Sequence, residues 1–137
     1  MWLIFALLSA LFAALTSIFS KIGLEGINSN LAVAIRTIVI LFFAWGIVLA
    51  TGRHLELPYV SPRNWFFLML SGLATGASWL FFYRALQLGE VSRIVPIDRL
   101  SMVLTILLAF LILGEPLTPK LLLGSALIIV GVIIIAS

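Results

Sequence analysis

Arg84, Glu90, Arg93, Asp98 and Arg99 stand close together in a chain that is 64% hydrophobic and only 9% charged. Ionisable side chains in apolar helices are costly in lipid, so they are usually paired, and they often mark binding or proton-relay positions. Asp98 suits a proton- or cation-binding carboxylate. Equally, it suits a structural acid, paired with Arg84, Arg93 or Arg99 and favoured by the dipole of a helix entered through Pro96. The arginines suit an anionic group. Arg36 lies roughly two turns inside an apolar run, ~9 Å along at ~1.5 Å per residue, where it is either an interfacial anchor or part of a site lining. Thr16, Ser20 and Ser101 supply hydroxyls, and Trp79 and Tyr83 supply aromatic faces. With Asp98, Arg84, Arg99 and Arg36 they make up the expected substrate- or ion-binding set.

Other chemistries are poorly served. The chain has no cysteine, which excludes disulfides, thiol catalysis and cysteine-ligated metals. His54 has no partner at metal-ligand spacing and reads as a solvated interfacial residue. No Ser/His/Asp set, phosphate loop or metal motif is present, so neither an enzyme, a metal nor a cofactor is expected. The net charge of +3 does not point to nucleic acid. The basic residues are scattered singly between apolar runs, as membrane-flanking anchors are.

The elements that must position these residues are apolar runs of bilayer-spanning length. The expected fold class is all-α, a polytopic membrane bundle of five helices in one domain over residues 1–137. The first span runs from about Trp2 to Ser20, and without a basic n-region it reads as a retained helix. Lys21 closes it, either snorkelling to the headgroups, the default, or pointing into a cavity, and Gly23 to Asn30 forms a turn. The second span covers about Asn30 to Thr51. Thr51 to Asn64, with its glycine, two prolines and mixed charge, reads as a surface loop. Tyr59 and Trp65 suit the interface. The third span, about Trp65 to Leu88, contains Gly72-x-x-x-Gly76 in a small-residue block that reads as a helix-packing face. The fourth starts near Val95 or Pro96 and ends at Leu113, before a Gly114-Glu115-Pro116 turn. The fifth, about Leu121 to Ala136, has no ionisable side chain, and Gly124 and Gly131 share one stripe as a helix-association face. The cationic residues are nearly balanced between the two sides and lean weakly to an N-out, C-in chain.

The segment Y-R-A-L-Q-L-G-E-V-S-R-I-V-P, followed by an apolar helix ending in L-G-E-P-L-T, resembles the EamA domain of the drug/metabolite transporter superfamily. The match is carried by Ala85-Leu86, Pro96 and Gly114-Glu115, and it extends over essentially the whole chain. It implies a secondary transporter or exporter of small metabolites in a bacterial or archaeal cell membrane, working by alternating access. Most such transporters carry two inverted five-helix repeats, so a single repeat implies a homodimer or pairing with a second repeat. The last helix is similar to that of small multidrug resistance transporters, whose glycines mediate dimerisation; the likeness gives Gly124 and Gly131 that role. Those relatives also use a glutamate in their first helix, and this first span has no carboxylate, so their antiport site does not carry over. Two rival readings remain: a non-transporting membrane subunit of a larger complex, and a component of a lipid-linked sugar flippase. The partners expected are the lipid bilayer, a small-molecule solute and a second repeat, with no nucleic acid.

Overall fold

The computed structural model describes residues 1–137, and every regular element in it is helical. The helices are α1 (Trp2–Gly23), α2 (Ser29–Ala50), α3 (Pro62–Leu88), α4 (Val91–Asp98), α5 (Leu100–Leu108) and α6 (Pro119–Ala136). A 3-10 turn covers Arg53–Tyr59, and a π-helical turn, Ala109–Leu113, continues α5. Helices suit such a sequence because in hydrocarbon every backbone N–H and C=O must find its partner within the segment. Taken with α4 to the π turn as one span, five stretches of 18 to 27 residues are long and apolar enough to cross a membrane, with mean hydropathies of 1.5 to 2.4. At ~1.5 Å per residue they run about 27 to 40 Å, against a hydrocarbon core of ~30 Å. Phe42, Leu73 and Ile112 are more than 70% exposed, which fits side chains solvated by acyl chains.

The chain divides into two compact units, Ile18–Leu88 and Met1–Ser17 with Gly89–Ser137. In the first, α2 packs along α3 and the 3-10 turn packs back on α2. Asn28 caps α2, its Oδ1 accepting the Asn30 amide at 2.8 Å. The chain leaves α2 through Gly52 at φ +71°, a left-handed conformation that glycine adopts without steric cost. The stretch read as loop is thus partly regular, and α3 begins at Pro62, earlier than expected. Proline suits a first helical turn, and Ser61 Oγ accepts the Asn64 amide at 3.2 Å. Arg53 and Glu56 form an exposed ion pair, and the hydrogen bond and charge of Glu56 raise the Arg53 pKa. His54 departs from its solvated reading: its Nδ1 is sealed from solvent with no hydrogen-bond partner.

In the second unit α6 packs against α4 and α5. The fourth span departs most from expectation. It begins at Val91, so Pro96 lies inside α4 and Asp98 ends it. Asp98 thus closes α4 and at the same time directly precedes Arg99, the cap residue of α5. Proline has no N–H for the carbonyl one turn earlier, and its ring crowds that turn. Helical geometry lapses at Arg99, whose amide is shared between the Val95 and Pro96 carbonyls at 3.2 and 3.1 Å. The span closes with Gly114 at φ +69° and the Glu115 amide on the Ala109 carbonyl at 3.2 Å. Thr118 caps α6, its Oγ1 accepting the Leu121 amide at 3.3 Å.

No heavy atom lies within 4 Å of a Cβ built on Gly52 or on Gly46, which is in mid-α2. Only backbone conformation separates the two positions. Gly52→Ala is expected to lower stability by about 1 kcal/mol, with no loss for Gly46→Ala, in denaturant titrations in detergent micelles.

Candidate functional site

The residues with site chemistry that the structure brings together lie on α1, α2 and α3 of the Ile18–Leu88 unit. On α2, Ser29, Ala32 and Val33 are buried and Arg36 follows at the next position of the same stripe. On α3, Trp79, Tyr83 and Leu86 repeat at helical spacing, with Tyr83 3% exposed and Leu86 fully buried. The two stripes meet at Arg36. Its guanidinium carbon lies 4.2 Å from the centroid of a Trp79 ring and 5.5 Å from that of Tyr83. Both distances are within the range of cation–π attraction. Arg36 Nη1 donates to Tyr83 Oη at 3.2 Å, and Tyr83 Oη lies 2.8 Å from Ser20 Oγ of α1. Because the phenol oxygen accepts from Arg36, its own proton is available to Ser20. Phe82 meets the Tyr83 ring edge-on at 6.4 Å.

No carboxylate pairs with Arg36. Its partners are two π faces and a phenol, all formally neutral. A guanidinium has five N–H donors, and the one donated to Tyr83 is its one hydrogen bond to the protein. The cluster is therefore a half-buried cation held in place with most of its hydrogen-bonding capacity unused.

Arg84 belongs to a different network. Its Nη1 donates to Gln87 Oε1 at 3.2 Å, and Gln87 Nε2 donates to the Ile27 carbonyl at 2.7 Å. Lys21, at the end of α1, donates to the Leu86 carbonyl in the last turn of α3. A cation is favoured there by the helix dipole. Beside these bonds an open cavity of about 480 Å³ is lined by Lys21, Glu25, Arg84 and Gln87 among apolar neighbours. Little in the sequence points to it: Glu25 stands alone in a turn, Gln87 is one position of a longer segment, and their nearness depends on how the α1–α2 turn folds back on α3.

The other expected residues lie in the second unit. Asp98 is half-buried and pairs with neither Arg93 nor Arg99. Arg93 instead meets Glu90 at 3.4 Å in an exposed pair, and Arg99 is exposed at the break. Thr16 is half-buried, while its neighbour Ser17 bonds back to the Ala13 carbonyl at 3.0 Å. Ser101 is exposed, and its carbonyl accepts from Thr105 Oγ1 at 2.8 Å. Gly124 and Gly131 have no heavy atom within 4 Å of a built Cβ, and neither have Gly72 and Gly76. The packing face expected at Gly72 and Gly76 thus has no close neighbour within the chain; Gly124 and Gly131 also have room for a Cβ, though both are half-buried beside the buried Ser125 and Val132. Ser125, beside Gly124, is buried with its hydroxyl unpartnered.

A family model described as the EamA-like transporter family matches residues 1–137. A Sinorhizobium protein described as an uncharacterized transporter in the cobO 3′ region is 49% identical over 135 residues, covering 98% of this chain and 96% of that protein. No solved structure matches the chain.

The Ser20–Tyr83 bond ties α1 to α3. A double-mutant cycle of Ser20→Ala and Tyr83→Phe, followed by unfolding in mixed micelles, is expected to give a coupling energy of about 0.6 kcal/mol. Strictly additive losses would remove the bond's role in holding Tyr83.

Proposed function

The chain belongs to the EamA-like transporter family, and from that premise we propose that it is a secondary transporter of small metabolites that binds the anionic group of its solute at Arg36. The observation that carries this reading is the Arg36 cluster itself. An arginine inside a span is expensive unless something compensates it. Here the compensation within the protein comes from neutral groups, so a carboxylate or phosphate on the solute would provide the missing counter-charge. Trp79 and Tyr83 hold the guanidinium in place beforehand, which limits the ordering cost of binding. Their rings also offer apolar contact to the rest of a small molecule.

Transport by alternating access requires a second surface across the substrate path. In transporters built from repeats the site lies at the repeat interface. We assign that role to a second five-helix repeat, in a homodimer or a paired subunit, with Gly124 and Gly131 on the contact face. Their open stripe is compatible with this assignment. Asp98, half-buried and without an ion pair, is the coupling carboxylate in this scheme, with Arg99 and Ser101 beside it in the same span. The chain is an integral membrane protein, and the Sinorhizobium relative supports a bacterial cell membrane as its location. The family match favours transport over a purely structural subunit, and nothing in the chain favours catalysis.

The test is uptake and counterflow by the purified chain in proteoliposomes, using a panel of labelled carboxylates and phosphates. Arg36→Gln is expected to raise KM for the transported anion about 10- to 100-fold, as loss of a charged hydrogen-bond partner costs about 1.5–3 kcal/mol. Asp98→Asn is expected to abolish gradient-driven uptake while leaving membrane insertion intact. Wild-type kinetics in the Arg36 variant would overturn the binding assignment, and gradient-driven uptake by the Asp98 variant would overturn the coupling role.

A further inference from the structure

The cavity between the α1–α2 turn and the last turn of α3 carries an inference independent of transport. Arg84 and Glu25 both line it. Neither forms an ion pair, with the other or with any other residue. Arg84 spends one donor on Gln87, and Glu25 makes no side-chain hydrogen bond to the protein. Lys21 adds a second positive charge to the lining while bonded to the Leu86 carbonyl. Opposite charges that face one cavity without meeting each other are complementary to a ligand carrying both signs.

The position of the cavity restricts that ligand. α3 is 27 residues long, about 40 Å at ~1.5 Å per residue, which exceeds the ~30 Å hydrocarbon core. Its last turn, with Arg84 and Gln87, therefore reaches the headgroup layer, as does the α1–α2 turn that carries Glu25. In the cavity lining, Ile27 and Leu88 are 37% and 74% exposed. That rim is apolar and suited to acyl chains.

We propose that this cavity docks the headgroup of a phospholipid bearing both a phosphodiester and a primary ammonium, that is, a phosphatidylethanolamine. The phosphodiester oxygens meet the Arg84 guanidinium, whose planar fork matches two oxygens at once. The charge of Lys21 supports them. The ammonium donates to the Glu25 carboxylate, and the acyl chains lie along the exposed apolar residues of α1 and α3. The site discriminates among lipids by Glu25. A choline headgroup has no N–H to donate to it, and a glycerol headgroup has no positive charge to offset it. Basic pockets at the ends of membrane helices are a recurrent way of holding lipid phosphates. A carboxylate added to one selects the zwitterion.

Native mass spectrometry of the full chain, released from nanodiscs of equal parts phosphatidylethanolamine, phosphatidylcholine and phosphatidylglycerol, tests this directly. The expected result is about tenfold enrichment of retained phosphatidylethanolamine over the other two, equivalent to ~1.4 kcal/mol. Glu25→Gln is expected to abolish the preference while phosphate-dependent retention persists. Arg84→Gln is expected to lower retention of all three lipids, and Arg84→Lys to restore part of it. Arg63→Gln, at the opposite end of α3, should behave as wild type, with helicity by circular dichroism confirming that each variant is folded. Equal retention of the three lipids by the wild-type chain would overturn the proposal, as would an unchanged preference in Glu25→Gln. A free zwitterionic solute is the competing source of the same chemistry. Displacement of the lipid by millimolar free phosphoethanolamine would assign the site to such a solute and overturn the lipid assignment. The readout does not depend on transport activity.

Discussion

A guanidinium inside an apolar span has to be held, and the structure around α2 and α3 follows from how Arg36 is held. Desolvation would be severe for a bare cation. The available remedies are a carboxylate, a carbonyl, water or a π face. This chain uses two π faces and one phenol. That choice fixes the register of α3 against α2, because Trp79 and Tyr83 must present the same stripe to Arg36. The same Tyr83 oxygen then reaches Ser20, which brings the end of α1 onto α3. One polar atom therefore couples three helices in a unit where few side chains are buried. Exchanging the aromatic residues for aliphatic ones would keep the span apolar and remove this ordering.

The neutral character of the clamp also sets its chemistry. A carboxylate partner would satisfy Arg36 and compete with any anion that approached it. A phenol and two rings position the cation without cancelling its charge, so its field stays available. The Lys21–Leu86 contact behaves differently. There a cation meets the carbonyl end of a helix and stabilises the chain termination itself. The Arg53–Glu56 and Arg93–Glu90 pairs, both largely exposed, are surface features that contribute little.

Much of this was legible in the residues. Apolar runs of bilayer length gave five spans, and their approximate limits were right wherever Gly, Asn or Thr stood at the ends, as at Asn28, Gly52 and Thr118. Arg36, Ser20, Trp79 and Tyr83 were each recognisable as polar or aromatic residues in apolar surroundings. Their convergence was not, because it depends on the relative rotation of α1, α2 and α3, which no single helix encodes. The fourth span misled for a local reason. Pro96 is equally compatible with a first turn and with an internal break, and the sequence V-S-R-I-V before it has no cap to decide between them. Helix formation from Val91 moved Asp98 from an expected helix start to a helix end. For Lys21 the sequence left headgroups and a cavity open, and its bond to the Leu86 carbonyl depends on a helix 65 residues further on.

The glycines complete the physical picture. A glycine in a membrane helix leaves a notch where backbone is unprotected, and the notch is useful when another helix fills it. Gly72, Gly76, Gly124 and Gly131 all face open space in this chain. Acyl chains are mobile and fill such notches at an entropic cost, whereas a rigid helix can fill them with sustained van der Waals contact. Two of these glycines, Gly124 and Gly131, sit on the span without any ionisable side chain, so a neighbour there need satisfy no charge. The hydroxyl of Ser125, next to Gly124, is buried and unpartnered. Steric access, the absence of charge and an uncommitted donor thus coincide on α6. In the proposed assembly α6 is accordingly the contact helix.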